Sequence, residues 1–149
     1  MKRFEFRLSR VLDYRREQAD LERSRLQSLL AELRRIDAEK ESLQGQAGDA
    51  RSQISRSACV SGEELSALSE FERYIRNQTA RLDLVRHETN LLVRRQQAIV
   101  LEAERKVTLL LKLRQRKFTT WTREEQKELE TLAAESYLSR LGAARRTGR

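Results

Sequence analysis

From residue 26 the apolar and small residues of this chain recur at alternating steps of three and four. The series reads Leu26, Leu29, Leu33, Ile36, Leu43, Ala47, Ala50 and Ile54, and Lys40 is its one charged member. That rhythm averages 3.5 residues, slightly under one helical turn, so the stripe keeps to one face only if the helix winds around a partner. The same register run backward passes Glu22, Ala19, Arg15, Leu12 and Leu8, a weaker seam with two charged members. A second series keeps the same steps through Leu68, Phe71, Ile75, Gln78, Leu82, Val85, Thr89, Leu92, Gln96, Ile99 and Ala103. It continues through Val107, Leu110, Leu111 and Leu113, where its phase is ambiguous, and resumes at Phe118, Trp121, Leu129 and Leu132. Such a helix is about 110 Å long.

Composition agrees with long helices. The 149 residues include no proline, 36% are charged and 5% aromatic, so helix breakers are missing and core-forming side chains are few. One good turn separates the two series. Ser55 to Ser57 and Cys59 are poor helix formers, and Ser61 and Glu64 have the spacing of a capping box, with Val60 and Leu65 placed as a hydrophobic staple. A short loop between two long amphipathic helices makes them antiparallel neighbours. The expected fold is therefore all-α: a long antiparallel two-helix coiled-coil hairpin with an extended C-terminal helix. Helix 1 is expected at about residues 4–54, the tip at 55–61, helix 2 at 62–140, and a basic tail at 142–149. Facing residues then have numbers totalling about 116, and everything after about residue 112 lacks an intramolecular partner. Its apolar face is frayed or bound to something else.

Catalytic parts are missing from the sequence. His87 is the lone histidine and falls off both seams, and Cys59 is the lone cysteine, so neither nucleophilic nor metal-ligand spacing is present. The five glycines form no phosphate-cradling loop. No enzyme, cofactor, metal or small-molecule substrate is expected. The charged start and the short apolar runs suit neither a signal peptide nor a membrane span, and the single cysteine suits the reducing cytosol.

The net charge of +8 concentrates in Lys2 to Arg16, in Arg105 to Lys117 and in the tail. A solvated face, an acidic protein socket and nucleic acid all fit clustered cations. No recognised nucleic-acid reading module is visible, which disfavours nucleic acid. Gly45 and Gly48 each cost about 1 kcal/mol relative to alanine within a helix, so helix 1 is weak before the tip, by fraying or as a flexible contact surface. Thr119, Thr120 and Thr122 raise the question of a kink, with Thr122 and Glu125 as a second capping box.

Two segments carry a resemblance. The opening run from Phe4 to Glu17 resembles the F-x-F-x-L-x-x-V-L-x-x-R start of the flagellar FliJ family, and the run from Arg123 to Ala133 resembles that family's E-x-K-E-L-D-E-L-A ending, with Glu130 where aspartate is common. The likeness spans essentially the whole chain. It implies a soluble component of the flagellar type III export apparatus, a central-stalk-like coiled coil that binds and stimulates the hexameric export ATPase. Further implied partners are the membrane export gate protein and the export chaperones, with a cytoplasmic location at the inner face of the inner membrane. The implied ATPase-binding residues are Arg7, Arg10, Arg114, Arg116, Phe118, Trp121, Leu129 and Leu132. Phe71 and Tyr74 are the implied gate-binding residues, while Gln46 and Ala50 stand where tyrosines are expected. The stalk of a virulence-type III secretion system and a basic coiled-coil nucleic-acid binder are the alternatives.

Overall fold

The computed structural model describes residues 3–147, with side chains through Leu141. It is all-helical, with no strand among the described residues: α1 runs Ser9–Arg56 and α2 runs Gly62–Thr147. The basic tail expected at 142–149 falls outside the residues whose side chains are described. Residues 3–8 are not helical, so α1 begins five residues later than its periodicity suggested. The chain divides into two compact units, Gln18–Ala103 and the combination of Met1–Glu17 with Glu104–Arg149.

Within Gln18–Ala103 the two helices pack against each other. On α1 the expected stripe is the one that turns inward, with Ala19 and Ile36 buried and Glu22, Leu26, Leu29, Leu33, Lys40, Leu43, Ala47, Ala50 and Ile54 half-buried. The charged member, Lys40, pairs across the seam with Asp83. Arg51 pairs with Glu72 and Arg86 with Asp37, the latter at 2.7 Å. Gln96 donates to the Glu22 backbone carbonyl at 3.1 Å and to its carboxylate. As residue numbers fall along α1, those of their partners on α2 rise. The three ion pairs have numbers totalling 123, and Gln96 with Glu22 total 118. The expected total of 116 was too low. The loop, residues 57–61, centres on 59, which sets the geometric pairing at 118. Long cationic side chains reaching along the groove account for the rest.

On α2 the expected seam is corrected in its second half. Val85, Leu92 and Ile99 are exposed, and Arg86, Val93 and Val100 turn inward instead. Leu82, Thr89, Gln96 and Ala103 keep their expected inward places, so the whole stripe does not rotate and only its alternate member moves one residue on. Leu92–Val93 and Ile99–Val100 are apolar at both members, so the sequence pattern held no preference between them.

The loop closes as its residues dictate. Glu64 N–H donates to Ser61 Oγ at 3.2 Å and Ser61 N–H donates to Glu64 Oε2 at 2.8 Å. This reciprocal capping box satisfies two backbone donors at the start of α2. Val60 and Leu65 stay 38% and 53% exposed, so a staple there buries little. No break occurs at the threonines. Thr119, Thr120 and Thr122 donate their hydroxyls to the carbonyls of Gln115, Arg116 and Phe118 at 2.9–3.0 Å, and α2 continues with its side chains turned back on its own helix.

The helix glycines and the cross-seam ion pairs are both open to test. A Cβ added at Gly45 or Gly48 would meet nothing within 4 Å, and both lie inside α1. Gly45→Ala and Gly48→Ala should each stabilise the chain by about 0.5–1 kcal/mol, read as a rise in thermal midpoint; no rise would mean that α1 is not helical there in solution. The ion pairs predict a response to acid. Hydrogen bonds from Arg86 and Arg51 hold the carboxyls of Asp37 and Glu72 below their ordinary values of 3.8 and 4.5. Groups so depressed contribute stability that is complete above the ordinary values and lost as pH falls through the lowered ones. Melting temperatures should therefore drop on acidification, and the drop should be shallower in the Asp37→Asn/Glu72→Gln variant.

Candidate protein-binding site

The unit formed by residues 1–17 and 104–149 carries most of the residues singled out for partner binding. Its centre is an aromatic cluster. The Phe4 ring meets Phe118 edge-on at 5.2 Å and Trp121 at 5.9 Å, and Phe118 stacks on Trp121 at 5.9 Å and 27°. The expectation that nothing in the chain covers α2 after residue 112 is thus corrected. Residues 3–6 are not helical and residues 7–8 form a turn, closed by Ser9 N–H on the Phe6 carbonyl at 3.0 Å, and this segment sets the Phe4 ring against α2 beyond residue 112. The uncovered part begins further on. Every described residue from 126 to 141 is exposed, with Leu129 at 43% and Leu132 at 59%.

Two open clefts flank Phe4. One, of about 600 Å³, is lined by Arg3, Phe6, Arg7, Leu8, Leu113, Lys117, Trp121 and Glu124 together with Glu5 and Phe4 itself. The other, of about 560 Å³, has Thr108, Leu111, Lys112, Arg114, Gln115 and Phe118 around the same ring. The structure therefore brings Arg7 to Trp121 in one cleft and Arg114 to Phe118 in the other. Arg10 and Arg116 are exposed and line neither. Arg7, Arg10, Arg114 and Arg116 have no carboxylate within ion-pair distance among the described residues. Sequence reasoning missed Phe4 as a site residue. Its signal was present as two phenylalanines just ahead of a helix start.

Charge changes sign along α2. Between residues 105 and 117 stand six cations and no carboxylate, whereas Glu124, Glu125, Glu128, Glu130 and Glu135 follow within twelve residues, with Lys127 as the one cation. A partner matched to the first band is acidic, and one matched to the second is basic. The other candidate pair lies in the unit Gln18–Ala103. There Phe71 is half-buried in the seam and Tyr74 is 54% exposed, so only Tyr74 presents its ring to a partner. His87 and Cys59 are exposed. Among the described residues there is no cluster able to hold a metal ion, and no helix is long and apolar enough to cross a membrane.

No protein-family model, curated protein or solved structure matches the chain. The surface is described by its own geometry: Phe118 and Trp121 stand between bands of opposite charge, and Leu129 and Leu132 lie exposed within the acidic one.

Trp121 is the chain's one tryptophan, which makes the cluster directly observable. Phe4→Ala should shift its fluorescence to longer wavelength and raise its access to a soluble quencher. It should cost about 0.5–1.5 kcal/mol for each of the two ring pairs that Phe4 makes, while leaving the helical signal of α2 in place. Unchanged fluorescence would mean that residues 3–8 do not lie on α2 in solution.

Proposed function

We propose that this chain is a non-enzymatic stalk and adaptor of the kind that its resemblance to the FliJ family implies. In this reading it is an antiparallel two-helix coiled coil that binds and stimulates the hexameric flagellar export ATPase, working in the cytoplasm at the inner face of the membrane. The export gate and the substrate chaperones are its further partners. The observation that carries the reading is the uncovered stretch of α2, residues 126–141, preceded by the Phe4, Phe118 and Trp121 cluster and its unpaired arginines. A helix with exposed leucines at helical spacing and no cover of its own is suited to insertion into a partner. The cations of residues 105–117 favour an acidic rim on that partner and fast, salt-sensitive docking.

The same band supports a second reading, a nucleic-acid binder, because clustered cations suffice for phosphate contacts. Against it stand the five carboxylates that follow at 124–135, which repel a phosphate backbone. The stalk of a virulence-type III system has the same physical requirements, and the identity of neighbouring genes separates the two hosts.

The test is a truncation read in two ways. Removing residues 126–149 should leave the helical signal of Gln18–Ala103 and the Trp121 environment intact, because the aromatic cluster ends before the cut. Stimulation of the export ATPase should fall several-fold, and charge reversal of Arg7, Arg10, Arg114 and Arg116 should weaken binding most at low salt. Full stimulation by the folded, truncated chain would reject the C-terminal stretch as the engaging element. Retained nucleic-acid affinity together with no effect on the ATPase would favour the second reading.

A further inference from the structure

Within Gln18–Ala103, α2 offers apolar side chains on two faces. The first is the seam against α1, formed around Leu82, Thr89, Val93 and Val100. The second is open: Leu84, Val85, Leu91, Leu92 and Ile99 are 69%, 45%, 42%, 48% and 49% exposed. At about 100° per residue these five fall in one arc, centred roughly a third of a turn from the seam, where α1 does not cover them. Five large apolar side chains clustered on one exposed face are more than scattered surface hydrophobics and mark an interaction surface.

The charges interleaved with this stripe identify its partner. Arg81, Glu88, Arg95 and Glu102 stand at intervals of seven, alternate in sign, and lie on the same arc, all exposed. Glu88 and Arg95 have no ion-pair partner among the described residues. Reversing the stripe about the point between Leu91 and Leu92 sets it against itself with complementary chemistry, Val85 falling opposite Ala98. Glu88 then faces Arg95, Arg81 faces Glu102, Leu84 faces Ile99, and Leu91 faces Leu92. A parallel pairing would set every charge against its own like. Only the antiparallel arrangement is self-complementary, which is the requirement for a two-fold symmetric contact.

We propose that this face of α2 docks a second copy of the chain, antiparallel, across a two-fold axis between Leu91 and Leu92. Each ion pair then occurs twice, on either side of a leucine centre. The stretch from 81 to 102 is about 33 Å long, short for a standard interface of about 800 Å² per partner, so the dimer is concentration-dependent rather than obligate. The inference is independent of the stalk reading, whose ATPase-engaging residues belong to the other unit.

Sedimentation of the full chain from micromolar to near-millimolar concentration should show a growing dimer. Glu88→Arg alone, or Arg95→Glu alone, should weaken it by about tenfold or more, since like charges then meet twice, and the double exchange should restore it. Unchanged circular dichroism at these exposed positions controls for folding. In a Cys59→Ser background, mixing Leu84→Cys chains with Ile99→Cys chains should give the mixed disulfide. A monomer at all concentrations, disulfides of like with like, or failure of the double exchange to recover association would each overturn the proposal.

Discussion

Two helices in contact have one narrow seam to bury, and nearly everything else in this chain follows from its thinness. Among the described residues the buried apolar side chains are Leu12, Ala19, Ile36, Ile75, Val93 and Val100, and none is both large and fully buried. Burial contributes about 25 cal/mol per Å² of apolar surface, so a seam of this width leaves a small margin and a weakly specified register. Polar contacts across the seam supply the missing specification. Glu22 with Gln96, Lys40 with Asp83, Asp37 with Arg86 and Arg51 with Glu72 each have their full geometry in one alignment only. Exposed ion pairs add little energy, but a slip by one heptad breaks all four at once, which is the better attested use of such groups.

A thin seam also leaves apolar side chains over, and the two units leave theirs in different company. In Gln18–Ala103 the surplus is the stripe from Leu84 to Ile99, patterned with charges that complement their own reversal. In the other unit the surplus is partly consumed by the chain itself. Phe4, in the non-helical segment ahead of α1, packs on Phe118 and Trp121. What remains uncovered, from 126 to 141, follows a sharp change from basic to acidic. The first pattern suits a copy of the same chain and the second suits a different one, because a homotypic contact must be complementary to itself and a heterotypic contact need not be.

All-helical structure, two helices packed together, the position of the loop and its capping box were set by sequence. Absence of proline and the steps of three and four allowed no other local structure, and Ser61 with Glu64 encoded a cap satisfied within four residues. The inward stripe of α1 was equally plain because Leu26 to Ile54 has no competing apolar stripe beside it. Tertiary structure decided what depended on the neighbouring helix. Val93 and Val100 displaced Leu92 and Ile99 from the seam because adjacent apolar residues are equivalent in pattern and distinct only once α1 fixes the angle of approach. Residues 3–8 left the helix, and Phe4 became the centre of an aromatic cluster, because the gain from packing with Phe118 and Trp121 is visible only when residues more than a hundred positions apart are brought together. Local periodicity records which residues a helix can bury, and the partner surface selects which of them it does.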